Sequence, residues 1–449
     1  MIEQQPQPQG FMNWLKESVT VKLVFIGALI LLLLVPSVLI QNLIQERADR
    51  QEDTIKQVSD QYSGNQLVQG PILVIPYKKQ VKENNGTGKE ITKEIIENIY
   101  VLPDELNYKA NLSPDVLHRG IFEVAVYNSK IKVSGNFRKA DLNLLSISAN
   151  QLLSDKAKLI FSISDLKGVE TNPQVKVAGQ MLTAEPAYSD TLFSNGLQVP
   201  VNLEGSLDNP IPFEFILDVK GSQELNFLHL GKTTDVEVTG NWGSPSFSGR
   251  YLPDTRSVGQ GNFSAKWHML YYNRPFPQQW ADNKSLFSNN KKKGDAAFGV
   301  KLRLPVDQYQ KTMRSSKYSL LIIMLTFISL FLTELIGKQR VHVFNYILIG
   351  ASMIIYYTLL LSFSEQVGFN MAYLIASIAT IALIATFLAS LLKNKKAAIL
   401  FSFILTVFYT FIYVIIQLED LALMIGSIAL FIIVAALMYF SRKINWDRP

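Results

Sequence analysis

Hydrophobic and polar positions follow three regimes along this chain. Over residues 23–40 apolar side chains run almost unbroken. Eighteen helical residues at ~1.5 Å each reach roughly 27 Å, close to the hydrocarbon thickness of a bilayer. Over residues 41–317 no run is that long. Residues 41–61 are charged and glutamine-rich and read as a helix continuing out of the apolar run. Beyond them, apolar and polar residues alternate in short segments: PILVIPY (71–77), IFEVAVYNSKIKVSGNF (121–137), AKLIFSISD (157–165), PQVKVAG (173–179), PFEFILDVKGS (212–222) and TDVEVTGNW (234–242). A period of two belongs to half-buried strands, and turn residues separate these segments at β-sandwich spacing. Apolar runs return at 319–336, 346–361, 371–392, 397–417 and 421–440. The pattern predicts an α+β membrane protein. It has one N-terminal anchor helix (23–40), a large β-rich, sandwich-like extracytoplasmic domain (41–318) and a C-terminal five-helix transmembrane bundle (319–440). Tails at 1–22 and 441–449 complete it.

The joint between the last two regimes is residues 298–335. Val300, Leu302 and Leu304 alternate with Lys301 and Arg303, as in a strand, and Pro305 ends the alternation. Lys311, Arg314 and Lys317 then form a basic collar ahead of the apolar run. Charges in the short loops set the orientation. Lys338 and Arg340, then Lys393, Lys395 and Lys396, then Arg442, Lys443 and Arg448 fall on one side; Glu365, Glu419 and Asp420 fall on the other. Short basic loops stay cytoplasmic. Six spans with both termini cytoplasmic and residues 41–318 outside satisfy that rule. The collar opposes it locally, but long translocated segments largely escape it. Lys16 and Lys22 precede the first run, and no small-x-small site follows it, so an uncleaved signal anchor is expected. Pro36 within the run is tolerated in membrane helices.

Composition narrows the chemistry. Hydrophobic residues make up 48% of 449, the net charge is +6 and there is no cysteine. Disulfides, thiolate metal sites and cysteine nucleophiles are thereby excluded. The positive charge sits largely at the ends of apolar runs and reads as topology, not as nucleic-acid affinity. His118, His229, His268 and His342 show no metal-ligand spacing, and no G-x-S-x-G occurs. LGKTT (230–234) lacks the upstream glycine of a P-loop, with Asn226 in its place, and reads as a hairpin turn. VSGNF (133–137) and VTGNW (238–242) echo each other, too briefly to define a repeat.

Two regions carry candidate sites. NWGSPSFSGRYLPD (241–254) combines turn formers with large aromatic surfaces. Trp242, Pro245, Phe247, Gly249 and Tyr251 are either a recognition loop for a lipid, glycan or protein, or an aromatic plug closing the sandwich. Trp267, Tyr271, Tyr272, Phe276 and Trp280 extend the aromatic supply, at a membrane interface or in a core strand. In the membrane, Glu334 is the main ionisable candidate: a functional carboxylate, or an interfacial ion pair with Lys338 one turn on. Ser402, Thr406, Tyr409, Tyr413 and Gln417 share one helical face, for helix–helix hydrogen bonds or for a polar groove that takes a lipid head group.

GPILVIPY (70–77), RGIFEVAVYNSKIKVSGNF (119–137), SISDLKG (162–168), NWGSPSFSGRYLPD (241–254), FGVKLRLPVDQYQKTMRSSKY (298–318) and YYTLLLSFSEQVGFNMAYLIAS (356–377) together resemble the CreD family of bacterial inner-membrane proteins, which is linked to cell-envelope integrity. The resemblance implies one anchor, a large periplasmic domain and a C-terminal bundle in the inner membrane. It implies no catalytic residues and no cofactor. The chain departs from the family pattern at Val343, which follows His342 where the family has proline, at Asn345 and at Gln366 after Glu365.

Two functions are therefore expected. The first is a non-enzymatic protein that supports or senses envelope integrity, its periplasmic domain binding an envelope protein or lipid. The alternative is a transporter or lipid handler built on Glu334, Tyr409, Tyr413 and Gln417. An intramembrane protease using Glu334 and Glu365 is disfavoured, because the two carboxylates fall near opposite faces. The bilayer is one partner; the oligomeric state is left open.

Overall fold

In the computed structural model, residues 19–441 are described apart from 85–89, 188–191, 194, 283–285, 289, 305–307, 338–340, 393–394 and 419–420. The chain divides into two units, one of residues up to Glu52 with those from Val306 onward, the other Asp53–Pro305. Lys16, Lys338, Arg340, Lys393, Glu419, Asp420 and the last basic tail, all used above to assign topology, lie outside the described residues, as does Pro305.

The β-rich unit is two sheets face to face. Among the described residues one sheet has nine strands, ordered Pro245–Gly249, Ala297–Leu302, Glu224–Leu228, Gln66–Asn84, Ala157–Ile163, Gly196–Val201 and Glu185–Pro186, with Glu90–Val101 and Gln279–Ala281 on a side branch. The other has eight, ordered Thr255–Val258, Phe263–Leu270, Thr233–Gly240, Glu105–Arg119, Phe122–Phe137, Ile211–Ser222, Gln174–Val177 and Gln180–Thr183. Alternation does the work the sequence assigned to it. In Ile211–Ser222 the odd positions Ile211, Phe213, Phe215, Leu217 and Val219 are buried while Glu214 and Ile216 are exposed. Aromatic pairs join the two sheets: Phe161 stacks on Phe215 at 4.6 Å, and Tyr108 meets Phe227 at 5.1 Å. Such pairs contribute ~0.5–1.5 kcal/mol each beyond burial.

One expectation in this unit needs correction. LGKTT is no hairpin: Glu224–Leu228 and Thr233–Gly240 belong to different sheets, so the turn carries the chain across the sandwich. Thr234 Oγ1 accepts the Gly231 N–H at 3.0 Å and fixes the crossing. The VSGNF/VTGNW echo marks no repeat. Its strands flank Glu105–Arg119 on opposite sides, one antiparallel and one parallel.

The other unit is helical. Helix α1, Val19–Tyr62, is continuous through Pro36 and joins the apolar run to the charged segment after it. Ile26, Leu29, Leu33, Ser37, Ile40 and Ile44 are buried at three- and four-residue steps, while Leu31, Leu32, Val35 and Leu39 are exposed. That division gives one packed stripe and one lipid-facing stripe. The last turns of α1 belong to the β unit, where Val58 packs on Val124 and Val126. A short helix α2, Asn290–Ala296, lies in the β unit. Then come α3 (Gln308–Lys317), α4 (Ser319–Gly337), α5 (Val343–Val367), α6 (Phe369–Leu392), α7 (Lys395–Gln417) and α8 (Ala422–Ser441). Among the described residues four of these, α1, α5, α6 and α7, are long and apolar enough to cross a membrane, and there are five if α3 with α4, bent by 41°, counts as one span. None of the described side chains of α8 is buried. The basic collar ahead of the apolar run is the helix α3, one face buried and the other cationic.

Candidate functional site

The aromatic motif of 241–254 folds as an edge strand, Pro245–Gly249, with the rings on either side turned inward. Phe247 meets Trp267 edge-on at 5.9 Å, and the Arg256 guanidinium lies 6.0 Å over its outer face. Tyr251 packs edge-on against Phe298 at 6.1 Å, and its hydroxyl donates to Asn273 O at 3.0 Å. Trp267 Nε1 donates back to Tyr251 O at 3.0 Å, and Trp242 Nε1 to Arg303 O at 3.0 Å. Trp242, Pro245, Phe247 and Tyr251 are half-buried, and Trp242, Phe247 and Tyr251 pack against the main core. Gly249 is exposed at φ 92°, and a Cβ there would stand 2.2 Å from Ala297 O. The geometry is that of a plug.

What the motif leaves outside is a small apolar surface. Leu252, inside the motif, is 69% exposed, and Tyr272 is 77% exposed. Tyr271 stacks on Tyr272 at 4.4 Å, with Lys232 Nζ 5.6 Å over the Tyr271 ring. The Tyr251–Asn273 hydrogen bond ties the two segments together. The segment 267–280 thus splits: Trp267, Phe276 and Trp280 are core, whereas Tyr271 and Tyr272 face solvent. Alternation along Phe263–Leu270 puts Trp267 inside; the helical turn Tyr271–Asn273 then breaks the alternation and leaves both tyrosines out.

Beneath this surface the polar groups are structural. His229 is buried between Thr234 Oγ1, 3.0 Å from Nδ1, and Leu270 O, 3.1 Å from Nε2. Burial holds its pKa down at about 4. Arg274 is buried without a carboxylate among its named partners; it donates to Leu230 O, to Phe276 O at 3.0 Å and to Gln278 Oε1 at 2.9 Å. Burial lowers its pKa to about 10. His268, by contrast, is exposed. Its hydrogen bond and charge contact with Asp235, 2.6 Å away, raise its pKa. No group of three or more His, Asp or Glu side chains placed to hold a metal occurs among the described residues.

In the membrane unit the four candidate residues do not form one site. Glu334 is buried, and its carboxylate pairs with Lys22 of α1 and accepts the Tyr346 hydroxyl at 3.2 Å. Lys22 also donates to Val341 O at 2.6 Å. Sequence reasoning set Glu334 against Lys338, which lies outside the described residues. The 312 positions separating Lys22 from Glu334 leave no local signal. Tyr409, Tyr413 and Gln417 lie at the other end of the helices. Tyr409 O accepts the Tyr373 hydroxyl at 2.7 Å, and Tyr413 packs on Tyr373 at 5.2 Å. Gln417 bridges Asn370 at 2.6 Å and Lys311 at 3.1 Å. Lower on α7, Ser402 and Thr406 bond back to carbonyls of their own helix. Glu365, near the Gln417 end, accepts the Tyr309 hydroxyl at 3.0 Å and lies 3.9 Å from Arg47. A groove of about 370 Å³ between α5 and α6 is apolar; its walls include Leu348, Ile355, Leu383 and Phe387.

An apolar helical bundle fused to a two-sheet β domain defines a polytopic membrane protein with a large β-rich insertion. The sequence model for the family described as Inner membrane protein CreD matches residues 18–447, and the chain belongs to that family. It is 29% identical to the Inner membrane protein CreD of Escherichia coli (strain K12) over 435 residues, covering 96% of this chain and 94% of that relative.

Proposed function

We propose that this protein supports or senses cell-envelope integrity without catalysing a reaction, its β-rich domain binding an envelope protein or lipid from the periplasmic side of the inner membrane. The observation that carries this reading is the exposed Tyr271–Tyr272 stack, tied to the 241–254 motif by the Tyr251–Asn273 hydrogen bond, with Leu252 exposed in the motif itself. Exposed aromatic and leucine side chains braced by a rigid base suit recognition. The motif residues Trp242, Phe247 and Tyr251 then act as the base, and Tyr271 and Tyr272 make the contact. The test is photocrosslinking in cells from a reactive residue at Tyr272, with Phe247 as the comparison. Defined crosslinks from 272 to one envelope protein or lipid support the reading. Equal, diffuse products from both positions sink it.

A second reading, a lipid handler working through the bundle, is supported by the buried Glu334 carboxylate and by the buried Tyr409, whose carbonyl accepts the Tyr373 hydroxyl. It requires that Glu334→Gln and Tyr409→Phe abolish function at normal membrane abundance. Wild-type phenotypes in both would remove it.

A further inference from the structure

Helix α3 is built the wrong way round for a helix lying on a membrane. Surface helices of that kind turn an apolar face down and a cationic face up. The cationic half is present, as Lys311, Arg314 and Lys317. The buried half is made of hydroxyls: Tyr309, Thr312, Ser315 and Ser316, followed by Ser319 at the start of α4, are each buried. Positions 309, 312, 315–316 and 319 fall on one helical face. The outermost, Tyr309, reaches the Glu365 carboxylate at 3.0 Å.

A second set of hydroxyls meets this face from the bundle. The Tyr356 hydroxyl on α5 interacts with those of Ser377, Tyr373 and Ser315. Yet Ser315 Oγ, Tyr356 OH, Tyr357 OH and Ser377 Oγ are all fully enclosed with no protein partner at hydrogen-bond geometry. They come from three different helices. Within hydrocarbon each unsatisfied polar group costs several kcal/mol, so an isolated oxygen of this kind is tolerable and several in one part of the bundle are not.

We infer that the Glu365 end of the bundle encloses a hydrated site, roofed by the hydroxyl face of α3 and floored by Tyr356, Tyr357 and Ser377, which takes water or a small neutral hydrogen-bonding ligand. Hydroxyls both donate and accept, which suits such an occupant. The site carries no charge of its own, and the one carboxylate at its mouth is already engaged by Tyr309 and Arg47. Towards the other end of α6 the next positions on the same face are Thr380, Ile384 and Leu388, so the polar surface stops partway across.

The absence of cysteine makes the wild-type sequence a ready background for the test. Ser315→Cys, Ser377→Cys and the outward-facing Ile378→Cys are made singly in the full chain, reconstituted in nanodiscs with both faces open, and treated with hydrogen peroxide, a thiolate oxidant close to water in size. Only a thiolate reacts, and a thiol in dry apolar surroundings stays protonated. Ser315→Cys and Ser377→Cys are expected to react at least ~tenfold faster than Ile378→Cys, because water stabilises the thiolate. Folded serine variants as inert as Ile378→Cys would overturn the proposal and show the hydroxyls closed on one another. Radiolytic hydroxyl-radical footprinting of the unmodified protein supplies a measurement free of substitutions. Tyr356 and Tyr357 should be oxidised well above the buried Phe327; modification no higher than that of Phe327 would equally refute a hydrated site.

Discussion

Gly249 stands at φ 92° in an edge strand, with Ala297 O where a side chain would begin. Both the dihedral and the contact forbid a Cβ, and the atom in the way is backbone, which cannot swing aside. Gly249→Ala should destabilise the β domain by on the order of 2 kcal/mol. Gly205 also has a positive φ, 71°, but open space around it, so Gly205→Ala should cost less. Thermal unfolding followed by tryptophan fluorescence separates the two; equal midpoints would mean that the 297 carbonyl yields. The histidines make an opposed pair. His229, held near 4 by burial, stays neutral in the fold while its unfolded counterpart protonates below about 6.5. The unfolded state then binds more protons, so stability is lost as pH falls from 6.5 towards 4, by up to about 3 kcal/mol. His268, raised by Asp235, works the other way: its contribution is complete below the unfolded value and fades as pH rises through the folded one. Being exposed, it contributes the smaller effect. Acid unfolding of full-length protein should therefore be blunted in His229→Gln. Asp235→Asn should leave the acid limb intact and flatten only the neutral one.

At the scale of elements, α1 is joined to the bundle by side-chain packing and by an ion pair whose carboxylate is buried and whose ammonium is partly so. Lys22 meets Glu334 and Val341 O near one end, Ser37 Oγ lies 2.6 Å from Ser319 Oγ, and Leu33 reaches Gly350, where an added Cβ would lie 2.4 Å from Leu33 Cδ1. Removing one member of a buried pair leaves the other charge stranded and costs ~3–5 kcal/mol, whereas replacing both with apolar residues is often close to neutral. Lys22→Met and Glu334→Met should each lower the thermal midpoint in nanodiscs, and the double variant should recover most of the loss. A double variant as weak as the sum of the singles would mean that the pair is not coupled. None of this was legible locally. The sequence offered Lys338 for Glu334, since a partner one turn away is visible in a string of letters and one 312 positions away is not. What was legible was periodicity. The alternating segments became strands, most of them close to their expected ends, because burial on one face imposes a period of two; PILVIPY (71–77) is the exception, the middle of the longer strand Gln66–Asn84. The strand Glu105–Arg119 was missed because its far end, SPDVLHR, alternates weakly. Helix α3 was missed because its buried face is hydroxyl, and a search for apolar stripes passes over it.

For the whole molecule, the order anchor, β domain and bundle could be read from the lengths of apolar runs alone. The sheet order could not, because parallel neighbours such as Gln66–Asn84 with Glu224–Leu228 join residues about 160 positions apart. Loop charges predict the sidedness of the chain, and the collar runs against that prediction, with three cations where the proposed topology is extracytoplasmic. In the structure that collar is the first arm of the bent pair α3–α4. Whether this pair crosses decides where every later helix begins. With no native cysteine, two single substitutions answer it: Ser257→Cys on the exposed edge strand of the β domain and His342→Cys at the start of α5, both on accessible side chains. In intact spheroplasts an impermeant maleimide should label Ser257→Cys at once and His342→Cys only after permeabilisation. Labelling of both from outside would mean that α3–α4 enters and leaves by the same face, and an odd number of spans would then follow for the complete set. The reverse pattern would invert the protein and bring the β domain, with its exposed Tyr271 and Tyr272, to the cytoplasmic side. An envelope partner would then be out of reach, and the proposed recognition function would fail with the topology.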